Sequence, residues 1–359
     1  MVQYLLRRVI ASIPVLFGIL IVTFIIARVI PGDPCRAILG EKATAEICER
    51  FIELHGLDRP IHEQLFIYMG EVLRGDFGES IRFSMPVTRL LIERLPTTVE
   101  LSISALLVSL VIGIPLGIIS AVKHNSYIDV ITMVWANIGV SVPVFLLGLM
   151  LAYVFSLLLK DTPFWLPPSG RVSPGVPDDP FYEVWKLTVP ESGFLPAFYQ
   201  FISRLNILNA LLTSNWELLK DSIKHLILPS LALGTIPMAL IARMARSAML
   251  DVLGQDYIRT ARAKGLRQRV VVMKHAFRNA LLPLVTIIGL SLGSLLGGAV
   301  LTETIFGLSG VGRTLFEAIT ARDYGIVQAF TVVIAVFFVI INLLVDLSYS
   351  YLDPRIRLE

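Results

Sequence analysis

The sequence predicts an all-α membrane protein with six transmembrane helices, and three observations lead there. Only 16% of the 359 residues are charged, while 55% are hydrophobic. Soluble globular chains carry about a quarter charged residues, so this chain cannot coat a water-facing surface of its own size. Six apolar segments each approach the roughly 20 helical residues that cross a bilayer core. Short basic clusters stand at both termini and at every second connection between these segments. The mean hydropathy of +0.73 agrees, and a formal net charge of +3 gives no nucleic-acid footprint.

In chain order, the segments run from about Val9 to Ile30, Val99 to Val122, Val130 to Leu159, Leu226 to Ala242 (extendable to Leu250), Ala280 to Leu301 and Ile326 to Tyr349. The first follows Arg7 and Arg8, as a signal peptide would. Its apolar run is too long for a signal core and no small-x-small cleavage site follows it, so it reads as a retained anchor. Orientation follows from Arg7 and Arg8, Lys123 and His124, the seven basic residues between Arg259 and Arg278, and Arg355 and Arg357. With six crossings all four clusters fall on one side, the cytoplasm, with both termini. The loops 31–98 and 160–225 then lie outside. The first should hold two or three short surface helices, with Gly56 and Gly75 as stops. The second combines a Pro/Gly-rich stretch with amphipathic helix leading back to the membrane.

The sequence lacks a phosphate-binding G-x-x-x-x-G-K-[ST] and an H-E-x-x-H. The five histidines offer no metal-ligand spacing on one helix, and His55 and His62 read as a solvated pair. The central thirds of the six segments carry no ionisable residue; Arg28, Glu100, Arg243, Arg246 and Asp346 lie towards their ends. Asn137 and Asn342 are the polar residues nearest the interior, suited to helix–helix hydrogen bonds. Asn137, Ser141, Gly293 and Gly297 are candidates to line a pathway. Gly289, Gly293, Gly297 and Gly298 form a small-residue stripe, which fits tight helix packing and also a pathway whose packing changes.

The stretch "GQDYIRTARAKGLRQRVVVMKHAFRNALLP" stands between the fourth and fifth segments. It predicts a helix from about Gln255 to Lys264, ended by Gly265 in a left-handed cap, and a second helix from near Arg267 into the fifth segment. Anionic lipid alone would account for the charge. It does not account for a hairpin with Tyr257, Ile258 and Ala261 on one face, which suits a groove on a cytoplasmic partner.

These residues carry a resemblance. "DYIRTARAKGL" (Asp256–Leu266) is similar to the coupling loop of ABC importer permeases, with the family's Ala and Gly at Ala261 and Gly265. The family's acid is replaced, since Arg259 and Thr260 precede Ala261, and Leu282-Pro283 comes late. Both departures are typical of the dipeptide/oligopeptide branch. "LRR" (Leu6–Arg8), "IPGDP" (Ile30–Pro34), "HGLDRP" (His55–Pro60), "GDFGES" (Gly75–Ser80) and "LPPSGR" (Leu166–Arg171) extend the match. So do "ILPSLALGTIP" (Ile227–Pro237), "RNALLP" (Arg278–Pro283), "LTETIF" (Leu301–Phe306) and "DPRIR" (Asp353–Arg357). The chain resembles B-type permease subunits of dipeptide ABC importers almost throughout.

The resemblance implies a type I ABC importer permease fold: an N-terminal helix (1–30), an extracytoplasmic helical loop domain (31–97), a core permease domain (98–350) with an insertion at 160–225 and a coupling hairpin at 251–279, and a tail (351–359). It implies that Asp256, Tyr257, Ile258, Thr260, Ala261, Gly265 and Leu266 couple to ATPases. The implied partners are a C-type permease subunit, two ABC ATPase subunits, a substrate-binding protein and membrane lipid. ATP and Mg belong to the ATPases, and no cofactor to this chain. The location implied is the bacterial cytoplasmic membrane. Other cargoes (nickel chelates, glutathione, heme, oligosaccharides) remain open, and an autonomous secondary carrier is disfavoured by the charge-poor helix centres. Cys35 and Cys48 share the first outer loop. A disulfide between them is expected if the cell has a periplasm; the alternative is two reduced thiols.

Overall fold

The computed structural model describes residues 2–29, 44–54, 56, 58–80, 82–190 and 193–352. Helix α1 (Val2–Val29) is followed by the short α2 (Ala45–Leu54) and α3 (Ile61–Leu73). Gly56 and Gly75 take φ of +60° and +77°, left-handed conformations that end helices, as their positions predicted. An antiparallel pair, β1 (Glu79–Ser80) and β2 (Met85–Pro86), leads into α4 (Val87–Val122).

Helix α4 pairs with α10 (Trp216–Leu253), and the two form the centre of the bundle. Small residues set their separation. A Cβ on Gly113 would lie 2.8 Å from the Met238 carbonyl oxygen, one on Gly117 2.6 Å from that of Ala242, and one on Gly234 2.7 Å from that of Ala105. The backbones therefore touch, a contact worth most where lipid supplies no hydrophobic drive between helices. Leu101, Ala105, Leu228, Ala232, Ile241 and Ala245 are fully buried along this seam.

The third segment is not one straight crossing. It consists of α5 (Tyr127–Ser141) and α6 (Val144–Leu158), bent by 97°. Val142 is extended (φ −96°, ψ 128°) and Pro143 follows it. Proline has no N–H and disfavours the helical conformation in the residue before it, so the ladder stops there. Among the described residues, five helices are long and apolar enough to span a membrane, or six if this bent pair counts as one span.

The insertion holds α7 (Phe181–Val184), α8 (Phe194–Ser203) and α9 (Asn206–Leu212). After α10 come α11 (Asp256–Ala263) and α12 (Gln268–Leu296), the latter with a π-helical stretch at Val271–Phe277. The fifth crossing thus ends at Leu296, short of the expected Leu301. Gly298 turns the chain at φ +100°, where a Cβ would meet the Gly312 Cα at 2.7 Å. Helices α13 (Val300–Ile305) and α14 (Val311–Ala321) precede the final span, α15 (Tyr324–Leu352). Helix α1 lies along α15, with Arg8 Nε 2.9 Å from Asp346 Oδ2.

Candidate functional site: a basic hairpin and a polar cavity

Helix α11 is eight residues long, too short to be stable in isolation, so tertiary contacts must hold it. Ile258 is fully buried and Ala261 is 7% exposed, packed among Ala121, Met249, Val271, Val272 and Ala276 of their own chain. The expectation that Tyr257, Ile258 and Ala261 share a partner-facing side is corrected for the last two, whose face holds the helix to the bundle. Tyr257 is half-exposed, and its hydroxyl accepts a hydrogen bond from Asn279 Nδ2 at 2.8 Å. Asp256, Arg259, Thr260, Arg262, Lys264, Gly265 and Leu266 are exposed. Gly265 has φ +74°, the left-handed cap expected, and its N–H donates to the Arg262 carbonyl at 3.0 Å. The hairpin thus presents a charged outer rim on an apolar underside.

A second feature lies where α5 faces α10. A cavity of about 480 Å³ is lined by Asn137, Ser141, Asp129 and Arg246, with Met133 and Val134 among its apolar walls. Arg246 grips Asp129 with both ends of its fork, Nε to Oδ1 at 2.9 Å and Nη2 to Oδ2 at 2.8 Å. The Ser120 hydroxyl and the Asn125 N–H donate to the same carboxylate. One turn away on α10, Arg243 Nη1 donates to Asn137 Oδ1. Asn137 also donates through Nδ2 to the Met133 carbonyl at 2.7 Å, which fixes its amide.

The other two pathway candidates sit elsewhere. A Cβ on Gly293 would lie 2.5 Å from the Phe338 ring, and Gly289 meets Val345 in the same way. These glycines seat α12 against α15. Gly297 follows the last turn of α12, its N–H donating to the Gly293 carbonyl at 3.3 Å. Cys48 is 8% exposed on α2, whereas Cys35 and His55 lie outside the described residues.

The anchoring roles of Glu100 and Glu303 went unrecognised in the sequence. Glu100 lies well inside α4, because that helix begins at Val87 rather than near Val99. Its carboxylate accepts from Arg171 Nη2 at 2.7 Å and from the Ile207 N–H at 2.8 Å, tying the insertion to α4. Glu303, fully buried, accepts from the Thr98 hydroxyl and the Arg313 N–H, each at 2.8 Å. It holds α13 against the start of α14. The available signal was the charge itself, a carboxylate beside an apolar segment, which must have a partner.

A bundle of membrane-length helices, a short helix on an apolar seat and an open cavity beside an ion pair fit a membrane transport subunit. The family described as "Binding-protein-dependent transport system inner membrane component" matches residues 113–358, and its N-terminal counterpart matches residues 1–102. The chain belongs to this family. It is a permease subunit of an ABC transporter and not an enzyme; ATP hydrolysis in such systems belongs to separate ATPase subunits. It is 46% identical over 357 residues to the dipeptide transport system permease protein DppB of Alkalihalophilus pseudofirmus, spanning 99% of this chain and 100% of the relative. It is 41% identical over 360 residues to DppB of Escherichia coli, spanning 99% of each. The di/tripeptide transport system permease protein DppB of Pseudomonas aeruginosa is 40% identical over 362 residues, again 99% of each.

Proposed function

We propose that this chain moves dipeptides or short oligopeptides inward across the bacterial cytoplasmic membrane, as one half of a heterodimer with a C-type permease subunit. The observation that carries this reading is the end-to-end identity with relatives named for dipeptide transport. A match confined to the core would support transport alone. Two ATPase subunits, holding ATP and Mg, dock under the exposed rim of α11, and a binding protein delivers cargo from the other face. Closure of the ATPases pushes the hairpin and shifts the bundle between two facing states, which requires each state to contact the ATPases differently.

Within this reading Asp256, Tyr257, Thr260, Gly265 and Leu266 contact the ATPase, while Ile258 and Ala261 transmit the push into the bundle. Both termini lie in the cytoplasm. Single cysteines introduced near Pro174 should be labelled from outside, and one at Gln268 only from inside; the reverse pattern overturns this orientation. The function is tested by purifying the complex through this chain, identifying its subunits by mass spectrometry and measuring peptide-stimulated ATP hydrolysis and uptake in liposomes. Stimulation by a nickel chelate or glutathione, with none by peptides, overturns the cargo assignment.

A further inference from the structure

Two arginines one helical turn apart on α10 face α5, and they are treated differently. Arg246 has a carboxylate on both ends of its fork. Arg243 has the side-chain oxygen of an asparagine. Among the described residues no carboxylate lies within 4.0 Å of Arg243, and its side chain is exposed. A guanidinium has five N–H donors in a rigid fork that matches a carboxylate. Asn137, which lines the cavity of about 480 Å³, takes one of these donors. A cation on a membrane helix is costly and marks a ligand or a charge partner.

We propose that Arg243, positioned by Asn137, receives the C-terminal carboxylate of the peptide as it passes this cavity. The inference rests on the peptide-permease reading and adds a contact to it. A free peptide carries one carboxylate whatever its side chains, so a single guanidinium serves every sequence. The apolar walls, Met133 and Val134 among them, offer side chains contact without hydrogen-bond selection. Arg246 has its charge paired by Asp129, whereas Arg243 meets only a neutral amide and keeps its charge unpaired among the described residues. An acid of a neighbouring subunit, or a lipid phosphate, could satisfy the same fork, and the experiment separates these from the peptide.

The complete complex is reconstituted in liposomes with its binding protein, and labelled dialanine is supplied at a concentration that saturates the binding protein. Losing a charge-assisted hydrogen bond in transit should lower dialanine uptake per ATP hydrolysed about tenfold in Arg243→Gln. Arg243→Lys should recover part of it, because it keeps the charge without the fork. C-terminally amidated dialanine, supplied so that it loads the binding protein equally, should show no such difference between wild type and Arg243→Gln. Wild-type uptake ratios in Arg243→Gln overturn the proposal. Equal losses for the acid and the amide also overturn it, in favour of a lipid or structural role. Failure of Arg243→Gln to assemble, with Arg243→Lys assembling normally, overturns it in favour of an ion pair with the neighbouring subunit. Absence of dialanine uptake by the wild-type complex overturns the peptide reading itself, whereas normal wild-type uptake with an unimpaired variant sinks this contact alone.

Discussion

The insertion and the short helix α11 are held to the bundle by different physics. At the insertion end, polar contacts lock each piece to a specific partner. Glu100 binds Arg171 and the Ile207 amide at 2.7 and 2.8 Å. Asp221 takes the N–H and hydroxyl of Ser173 at 2.6 and 2.8 Å. Asn209 accepts from the Phe181 N–H at 2.9 Å and donates to the Asp179 carbonyl at 3.0 Å. Helix α11 instead rests mainly on Ile258 and Ala261 in an apolar seat, with one side-chain hydrogen bond across to α12, from Asn279 to Tyr257. Hydrogen bonds are directional and fail within fractions of an ångström, whereas apolar contact tolerates small rotations. The difference suits the proposed mechanism, in which the insertion stays fixed and the hairpin is pushed.

The largest expected effect tests the fixed end. Glu100 is 8% exposed, and removing it strands Arg171 without its acid. Breaking one side of a buried pair costs about 4 kcal/mol. Glu100→Ala should lower the melting temperature of the purified complex and open residues 160–225 to limited proteolysis. An unchanged melting curve and cleavage pattern would mean that the insertion end is no more locked than the hairpin.

A second test concerns the outer loop, where we propose a Cys35–Cys48 disulfide. The chain has just these two cysteines, and both fall in the one segment, 31–98, expected to lie outside. A bridge across so short a loop constrains the unfolded chain by about 3 kcal/mol on the entropy model. Intact-mass analysis with alkylation before and after reduction should find no alkylation without reductant. Two free thiols in freshly purified protein refute the bridge.

The seam between the ends is tested by Gly117→Ala. A Cβ there would sit 2.5 Å from the Ala245 Cβ and 2.6 Å from the Ala242 carbonyl oxygen, neither of which can swing away. Overpacking of this kind costs about 2 kcal/mol. The variant should lose thermal stability, and Gly18→Ala, where a Cβ meets nothing within 4 Å, should not. Equal melting temperatures would show that α4 and α10 do not meet as closely as their backbones indicate.

What the sequence could and could not reveal divides along the same line. The spans were legible because composition alone decides whether a segment prefers lipid. The caps at Gly56, Gly75 and Gly265 were legible because glycine at the end of a helical pattern carries a local conformational reason. Pro143 stands inside the third segment, and a proline can either kink a helix or break it. Which occurs depends on how neighbours receive the freed carbonyls, here with a bend of 97°. Glu303 and Thr98 meet across 205 residues of chain, and Arg171 and Glu100 across 71. No local pattern encodes such pairs. The inward turn of Ile258 and Ala261 was hidden for a related reason. An amphipathic helix announces an apolar face, and only the fold says whether that face meets its own chain or another.

The smallest expected change in stability tests the movable end. Gly265 ends α11 at φ +74°, and a Cβ there meets nothing within 4 Å of its own chain. Strain from the left-handed conformation is therefore the whole intramolecular cost of Gly265→Val, about 1 kcal/mol or somewhat more for a β-branched residue. The protein should fold and insert normally. Its α11–α12 turn would then be displaced or would place two methyl groups on the surface proposed to meet the ATPase. Uptake per ATP hydrolysed should fall well beyond what the stability loss explains. Gly265→Asn separates the two causes, since asparagine tolerates the left-handed region with a small polar side chain. Recovery of coupling in Gly265→Asn would assign the defect to backbone strain, and an equal loss would assign it to bulk at the partner surface. Normal coupling in Gly265→Val, with the ATPases bound, would show that the hairpin is not the lever and that its apolar seat is no looser in function than the polar locks at the other end.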